Sequence, residues 1–321
     1  MKASVQEGYG LPHAIKLRDV DLPCIGDGEV LVKVHAASVN ALDCHFARGM
    51  PYLLRFGGLQ TPRGSIRGVD LAGRVEAVGK NVVDFKAGDD VFGGSKGSFA
   101  EYAATTPDRL VIKPTGFSYE QAAALHVAGI TALQGLRDTG RVQRGQHVLI
   151  NGAGGGVGTF AVQIAKWLGA HVTAVTRTEN VDMVRSIGAD EMIDYQKEDF
   201  AERGRKYDTL FDIGGNRRLI ECRRVLTPQG TLVVVGGPAG RWLAPMTRIL
   251  QALVLSPLVS QRLVPCLSKN SAADLALLKE LAEDGRIRPV IDRRYPLREA
   301  AAALAYVATG QARGKVIIDI Q

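Results

Sequence analysis

The feature that most limits what this chain can become is a strand that runs into a glycine-rich turn and then into a helix. Residues 147–151 form a short apolar run, followed by Gly152, Ala153, Gly154, Gly155, Gly156, Val157 and Gly158. Val157, Phe160, Ala161, Ile164, Ala165 and Leu168 then recur at helical spacing, and Gly169 closes the stripe. A literal G-x-G-x-x-G is absent, because Ala153 stands first in the frame ending at Gly155 and Gly158. Gly152, Gly155 and Gly158 do fit at three-residue intervals. Such a turn presents unpaired N–H groups and the positive end of a helix dipole to a pyrophosphate, and glycine lets the phosphate come close. The pattern therefore predicts dinucleotide binding by Gly152, Gly155, Gly156, Val157 and Gly158.

The surrounding chain keeps a strand–helix rhythm. Strands are predicted at 147–151, 171–175, 191–195, 207–213 and 231–235, with helices between them. That alternation implies a parallel, doubly wound sheet. Before about Thr115 the texture differs: short β-branched runs such as Val30 to Val34 alternate with glycine and proline, which suggests an all-β unit. After Asn270 come a helix with Leu275, Leu278 and Leu281 in step, a strand near Val290, an alanine-rich helix from Arg298 and a strand at 315–320. These roughly 50 residues are too few to fold alone, so they are expected to pack back on the N-terminal unit.

Length and composition close off other readings. A chain of 321 residues suggests about two domains. Cys24, Cys44, Cys222 and Cys266 form no C-x-x-C pair, which argues against a disulfide scaffold and against a clustered zinc site. Forty basic against 33 acidic residues give +7, but the charges are scattered and form no basic stripe, so no nucleic-acid partner is expected. The start of the chain does not read as a signal peptide. The most lipid-like stretch, Leu243 to Val264, is broken by Pro245, Arg248, Gln251, Pro257 and Arg262. A buried helix, a lid or a subunit contact suits it better than a membrane span. A reduced, cytoplasmic protein is expected.

Cofactor preference is read at the end of the second predicted strand. An acid there would hold the ribose hydroxyl of NAD. The residues are Thr176, Arg177 and Thr178, and Glu179 comes too late and fits a capping box with Thr176. Arg177 is placed to grip a 2′-phosphate, which favours NADPH. No H-E-x-x-H, P-loop or Y-x-x-x-K pair occurs. Gly93-Gly94-Ser95-Lys96-Gly97 matches the G-x-S-x-G of serine hydrolases, but the residues after it read as strand where a nucleophile elbow needs a helix.

Four stretches carry a resemblance: Ser38 to Asp43, Gly68 to Gly73, Gly97 to Tyr102, and Asn151 to Gly158. In this order and spacing they resemble the zinc-independent quinone oxidoreductase branch of the medium-chain dehydrogenase/reductase superfamily. The resemblance implies an α/β chain. A Rossmann doubly wound parallel sheet (119–270) is inserted in a β-rich, GroES-like catalytic domain (1–118 and 271–321). Where zinc-dependent relatives carry a ligand cysteine and a Gly-His-Glu motif, this chain has Asn40, Val69 and Asp70. An amide and a valine cannot build a zinc site, so no metal is expected.

The same resemblance implies that Asn40 lies near the nicotinamide and the substrate oxygen, with Tyr52 as an active-site tyrosine. It implies that Thr131 borders the nicotinamide and that Tyr195 lies beside the adenosine phosphate. Gly214, Gly236 and Gly237 end strands at the ligand crevice, with Thr176 and Arg177 at the ribose. Arg313 and Lys315 form a basic turn close to the cofactor. The implied activity is hydride transfer from NADPH to a quinone or an α,β-unsaturated carbonyl, by a homodimer. An enoyl-thioester reductase is the nearest rival, and a non-catalytic NADPH-binding sensor is the rival of another class.

Overall fold

The computed structural model describes residues 1–50, 52, 66–236 and 246–320. They fall into two compact units, Met1–Ile130 with Asn270–Gln321, and Thr131–Lys269.

The first unit opens with β1 (Lys2–Gln6), β2 (Ile15–Asp19), β3 (Val30–Val39), α1 (Ala41–Arg48), β4 (Asp70–Val78), β5 (Asp90–Gly94), β6 (Tyr102–Thr105) and β7 (Leu110–Ile112). Helices α2 (Tyr119–Ala123) and α3 (His126–Gln134) follow. In β3 the alternation is plain: Val30, Val32 and Val34 are buried, while Lys33 between them is exposed. That period of two is what a half-buried strand requires. The domain boundary expected at 118 falls at Ile130 instead. The reason is packing. Ala122 and Ala123 of α2 are fully buried against the sheet of this unit. Gly129 of α3 lets that helix approach the later C-terminal helix so closely that a Cβ would stand 2.9 Å from Leu278.

The second unit contains β8 (His147–Asn151), α4 (Gly156–Trp167), β9 (His171–Thr176), α5 (Val181–Ser186), β10 (Glu191–Asp194), β11 (Tyr207–Asp212), α6 (Leu219–Arg224), β12 (Leu226–Val234), α7 (Met246–Leu255) and β13 (Arg262–Pro265). Its sheet runs β10-β9-β8-β11-β12-β13, and every pairing is parallel. In chain order that is third, second, first, fourth, fifth, sixth, so the winding reverses between β8 and β11. An open sheet of this order offers its ligand crevice at the carboxyl ends of those two strands.

Two expectations need correction here. Helix α4 is not a one-sided stripe: every residue from Gly158 to Ala165 is buried, including Thr159 and Gln163. Burial on every side over that stretch is that of an interior helix. Within 243–264, the stretch read as a buried helix, a lid or a subunit contact, the structure places α7 and then β13, which extends the sheet by one strand.

The chain ends with α8 (Ala272–Glu283), β14 (Ile291–Pro296), α9 (Ala300–Val307) and β15 (Lys315–Asp319). Leu275, Leu278 and Leu281 are buried, as their spacing predicts. β15 lies between β14 and β3, antiparallel to β3, in a sheet of order β14-β15-β3-β4-β5-β7. The C-terminal segment therefore completes the N-terminal unit. Among the described residues, no helix is long and apolar enough to cross a membrane.

Candidate active site

In the second unit the glycine-rich turn joins β8 to α4, at the point where the sheet reverses. Its three spaced glycines sit in different surroundings. Gly152 has φ of +94°, a conformation in which a side chain is strained. Gly158 sits where the turn closes on the helix, and a Cβ there would stand 2.1 Å from the Gly152 carbonyl oxygen. Gly155 has an ordinary φ of −88°, and a Cβ there would meet nothing closer than 3.7 Å. Nothing inside the chain demands glycine at Gly155, and the space beside it is open. Gly155 is also the N-cap of α4, and no side chain caps it. Gly156 and Val157, the first helical residues, have first-turn N–H groups that the helix itself leaves without a partner. This cradle fits a pyrophosphate.

The other predicted cofactor residues of this unit are spread along the strand ends. Thr176 is buried as the last residue of β9. Arg177 follows, its Nε 3.6 Å from a Glu179 carboxylate oxygen. The capping box expected from Thr176 and Glu179 does not form. Arg177 is the N-cap of the short 3-10 turn Thr178–Asn180, with no capping side chain, and Glu179 pairs with Arg177 instead. Tyr195 stands just past β10 and is half exposed. Gly236 lies just past β12, where a Cβ would press to 2.0 Å on the Ile213 carbonyl oxygen. Gly214 packs by the Asn151 side chain. Thr131 meets Ser268, hydroxyl to hydroxyl, at 3.1 Å. Gly237 lies outside the described residues.

Sequence reasoning missed a buried network at the same strand ends. Asn151, last in β8, donates to Asp212, last in β11, at 2.7 Å. Asp212 also accepts the Gly215 N–H at 3.0 Å. Arg248 of α7 reaches the same carboxylate and the Gly215 carbonyl. A polar residue closing each of two apolar strands was the available signal.

The first unit gathers a second constellation, and sheet register brings it together. Ser38 of β3 faces Asp70 of β4, and Val316 of β15 faces Val39, which sets Lys315 beside Asn40 at the start of α1. One carboxylate then takes five donors. Asp70 accepts from Ser38 at 2.6 Å, Asn40 Nδ2 at 2.9 Å, Lys315 Nζ at 3.1 Å, His126 Nδ1 at 3.1 Å and the Val127 N–H at 3.1 Å. Lys315 Nζ also donates to Asn40 Oδ1 at 2.7 Å. Asn40, Asp70, His126 and Lys315 are all buried. Burial by itself would raise the Asp70 carboxyl, but the Lys315 ammonium, the His126 ring and the Ser38 hydroxyl outweigh it and hold it well below the usual carboxylate range. Asp43, in the first turn of α1, accepts the Asn40 N–H at 2.8 Å, yet burial pushes its carboxyl up to about 7.

Lys315, expected in a basic turn close to the cofactor, is buried, and its ammonium bonds to Asp70 and Asn40. Its neighbour Arg313 is exposed. Tyr52 is half-buried. Ser95 is buried in a loop that leads into no helix, so the hydrolase match has no nucleophile elbow around it. Of the predicted site residues, the structure brings Asn40 and Lys315 together here. Asp70, Ser38 and His126 complete the group.

Comparison with known proteins agrees with this build. Residues 26–115 match the alcohol dehydrogenase GroES-like domain, and residues 187–318 match the zinc-binding dehydrogenase domain. The chloroplast envelope quinone oxidoreductase homolog of Arabidopsis thaliana is 34% identical over 328 residues, covering 97% of this chain and 94% of that protein. A chloroplastic NADPH-dependent alkenal/one oxidoreductase of the same plant is 32% identical, over 99% of this chain and 79% of its own length. The structure of the quinone oxidoreductase from Coxiella burnetii superposes with a TM-score of 0.91 at 30% identity, over 100% of this chain and 99% of that one. The fold and these matches define an oxidoreductase that works with a nicotinamide cofactor. The chain belongs to the quinone oxidoreductase branch of the medium-chain dehydrogenase/reductase superfamily.

Proposed function

We propose that this enzyme reduces a quinone or an α,β-unsaturated carbonyl with NADPH, without a metal. The observation that carries the reading is the Asn40–Asp70–Lys315 cluster. A zinc ion needs cysteine, histidine or carboxylate ligands with room for its charge. The corresponding residues are an amide, the alkyl group of Val69 and a carboxylate already neutralised by an ammonium at 3.1 Å. That donor set does not suit zinc. Without a Lewis acid to hold an alkoxide, alcohol oxidation is disfavoured. A substrate that is already electrophilic needs only orientation and a hydrogen-bond donor at its oxygen.

When bound, the reduced nicotinamide supplies the hydride. The Gly152 to Gly158 turn holds the pyrophosphate, and Arg177 grips the 2′-phosphate, which distinguishes NADPH from NADH. Asn40 donates an N–H to the substrate carbonyl oxygen, where negative charge develops as the hydride adds to the β-carbon of an enone. The resulting enolate takes a proton from water at the α-carbon. The relatives named for quinone and alkenal/one reduction support both substrate types.

The test is NADPH oxidation at 340 nm, with NADH as control, against quinones, 2-alkenals and enoyl thioesters. Turnover of a quinone or alkenal with NADPH is expected. Tight NADPH binding with silence across all three classes would overturn the catalytic reading in favour of a cofactor-binding sensor. Stoichiometric zinc in the purified protein would overturn the metal-free part.

A further inference from the structure

We propose that Lys315 is a positioning residue that acts on a bound carbonyl through the Asn40 amide. The inference rests on the carbonyl-reductase reading above. The amide is held from two sides. Its Oδ1 accepts from the Lys315 ammonium at 2.7 Å, and one Nδ2 hydrogen goes to Asp70 at 2.9 Å. An amide nitrogen carries two hydrogens. Among the described residues, the second has no acceptor, so it is the donor that Asn40 keeps for a ligand.

The pairing fixes which end of the amide is which. A flipped Asn40 would set its oxygen against the Asp70 carboxylate and its NH₂ against the ammonium, which is repulsive at both contacts. The pairing also polarises the group. A cation on the amide oxygen draws electron density from the C–N unit and offsets the Asp70 carboxylate bonded to the same nitrogen, so the remaining N–H is kept a good donor. Lys315 is 2% exposed, so water screens this effect little. As charge builds on a substrate oxygen, the lysine charge is felt through the amide. The ammonium thereby acts where a metal would have acted directly.

This role differs from two simpler ones. A lysine serving a cofactor phosphate would change cofactor affinity. A lysine serving only stability would change melting without sparing either kinetic parameter. The experiment uses the full-length enzyme and compares wild type, Lys315→Met, Lys315→Arg, Asn40→Ala and the Lys315→Met/Asn40→Ala pair. NADPH dissociation constants come from fluorescence titration, and kcat and KM from turnover of an enone. Lys315→Met is expected to lower kcat about tenfold to a hundredfold, the range seen when a supporting group behind a ligand is removed. NADPH affinity should stay within about twofold. Lys315→Arg should recover part of kcat.

In the Asn40→Ala background, Lys315→Met should cost almost nothing further, because the lysine acts through the missing amide. Lys315→Met strands Asp70 as a buried, uncompensated charge, so Asp70→Asn/Lys315→Met serves as the folded neutral control and should show the same loss of kcat. Unchanged kcat in a folded Lys315 variant would overturn the inference, as would losses that multiply with Asn40→Ala. A defect confined to NADPH affinity would overturn it too. Wild-type inactivity on every carbonyl would instead overturn the reading on which it rests, and this inference with it.

Discussion

A Cβ at Gly158 would stand 2.1 Å from the Gly152 carbonyl oxygen, whereas one at Gly155 would meet nothing nearer than 3.7 Å. The two substitutions should therefore separate fold from function. Gly158→Ala is expected to lower the melting temperature, since overpacking costs about 1–3 kcal/mol and the better helix propensity of alanine offsets about 1. Gly155→Ala should lose only about 1 kcal/mol of stability, as a poorer N-cap, yet bind NADPH about tenfold more weakly, roughly the loss of one phosphate hydrogen bond. Equal NADPH affinity in a folded Gly155→Ala protein would remove the turn as the pyrophosphate cradle. Arg177→Glu tests the neighbouring contact. A charge-assisted bond to a 2′-phosphate is worth about 1.5–3 kcal/mol, so NADPH affinity should fall about tenfold to a hundredfold while NADH gains. Unaltered selectivity would dismiss Arg177 as the phosphate grip. These residues were legible because each stands in a local pattern. The partners of Asn40 were not. Asp70 is 30 positions away and Lys315 is 275, and only sheet register brings them into one cluster.

Helix α1 starts beside two buried acids, its own Asp43 and Asp70 of β4, whose pH dependences oppose each other. Asp43 titrates near 7 in the fold against an ordinary 3.8, because burial penalises its charge. Between those values the folded state holds a proton that the unfolded state has released. Stability from this group therefore falls as pH rises from about 4 to about 7 and is level above, a change of up to about 4 kcal/mol. Asp70, held below the usual range, contributes stability above about pH 4 that is lost as pH falls further. Asp43→Asn removes only the first of these and can still accept the Asn40 N–H. Its urea midpoint relative to wild type should rise between about pH 5 and about pH 8. A constant offset across that range would mean that Asp43 is ionised throughout. Element identity was largely readable, since five parallel strands and the four closing elements follow from period and punctuation. Strand β13 was not. Its four residues, Arg262–Pro265, carry no alternation and follow an apolar helix, so only pairing with β12 defines them.

The order of the chain and the order of the two sheets disagree, and that has a kinetic consequence. The second unit is one continuous stretch, Thr131–Lys269, whose core strands β8, β9 and β11 lie close in sequence. The first unit is discontinuous. Its β3 pairs with β15, so that Val39 meets Val316 across almost the whole chain. Closing so long a loop is entropically unfavourable before any contact rewards it, and non-local pairings form slowly. β15 is nonetheless indispensable to its sheet: Val316, Ile317 and Ile318 are all fully buried, and the strand separates β14 from β3. The parallel unit should therefore gain protected amides first, with β14 and β15 last. Pulsed hydrogen exchange during refolding, read by mass spectrometry of peptides, checks this order. Early protection in residues 147–151, 171–176 and 207–212, ahead of 291–296 and 315–319, is expected. Simultaneous protection of all five segments would show that the long loop closes at no kinetic cost, and that the two units fold as a single cooperative body.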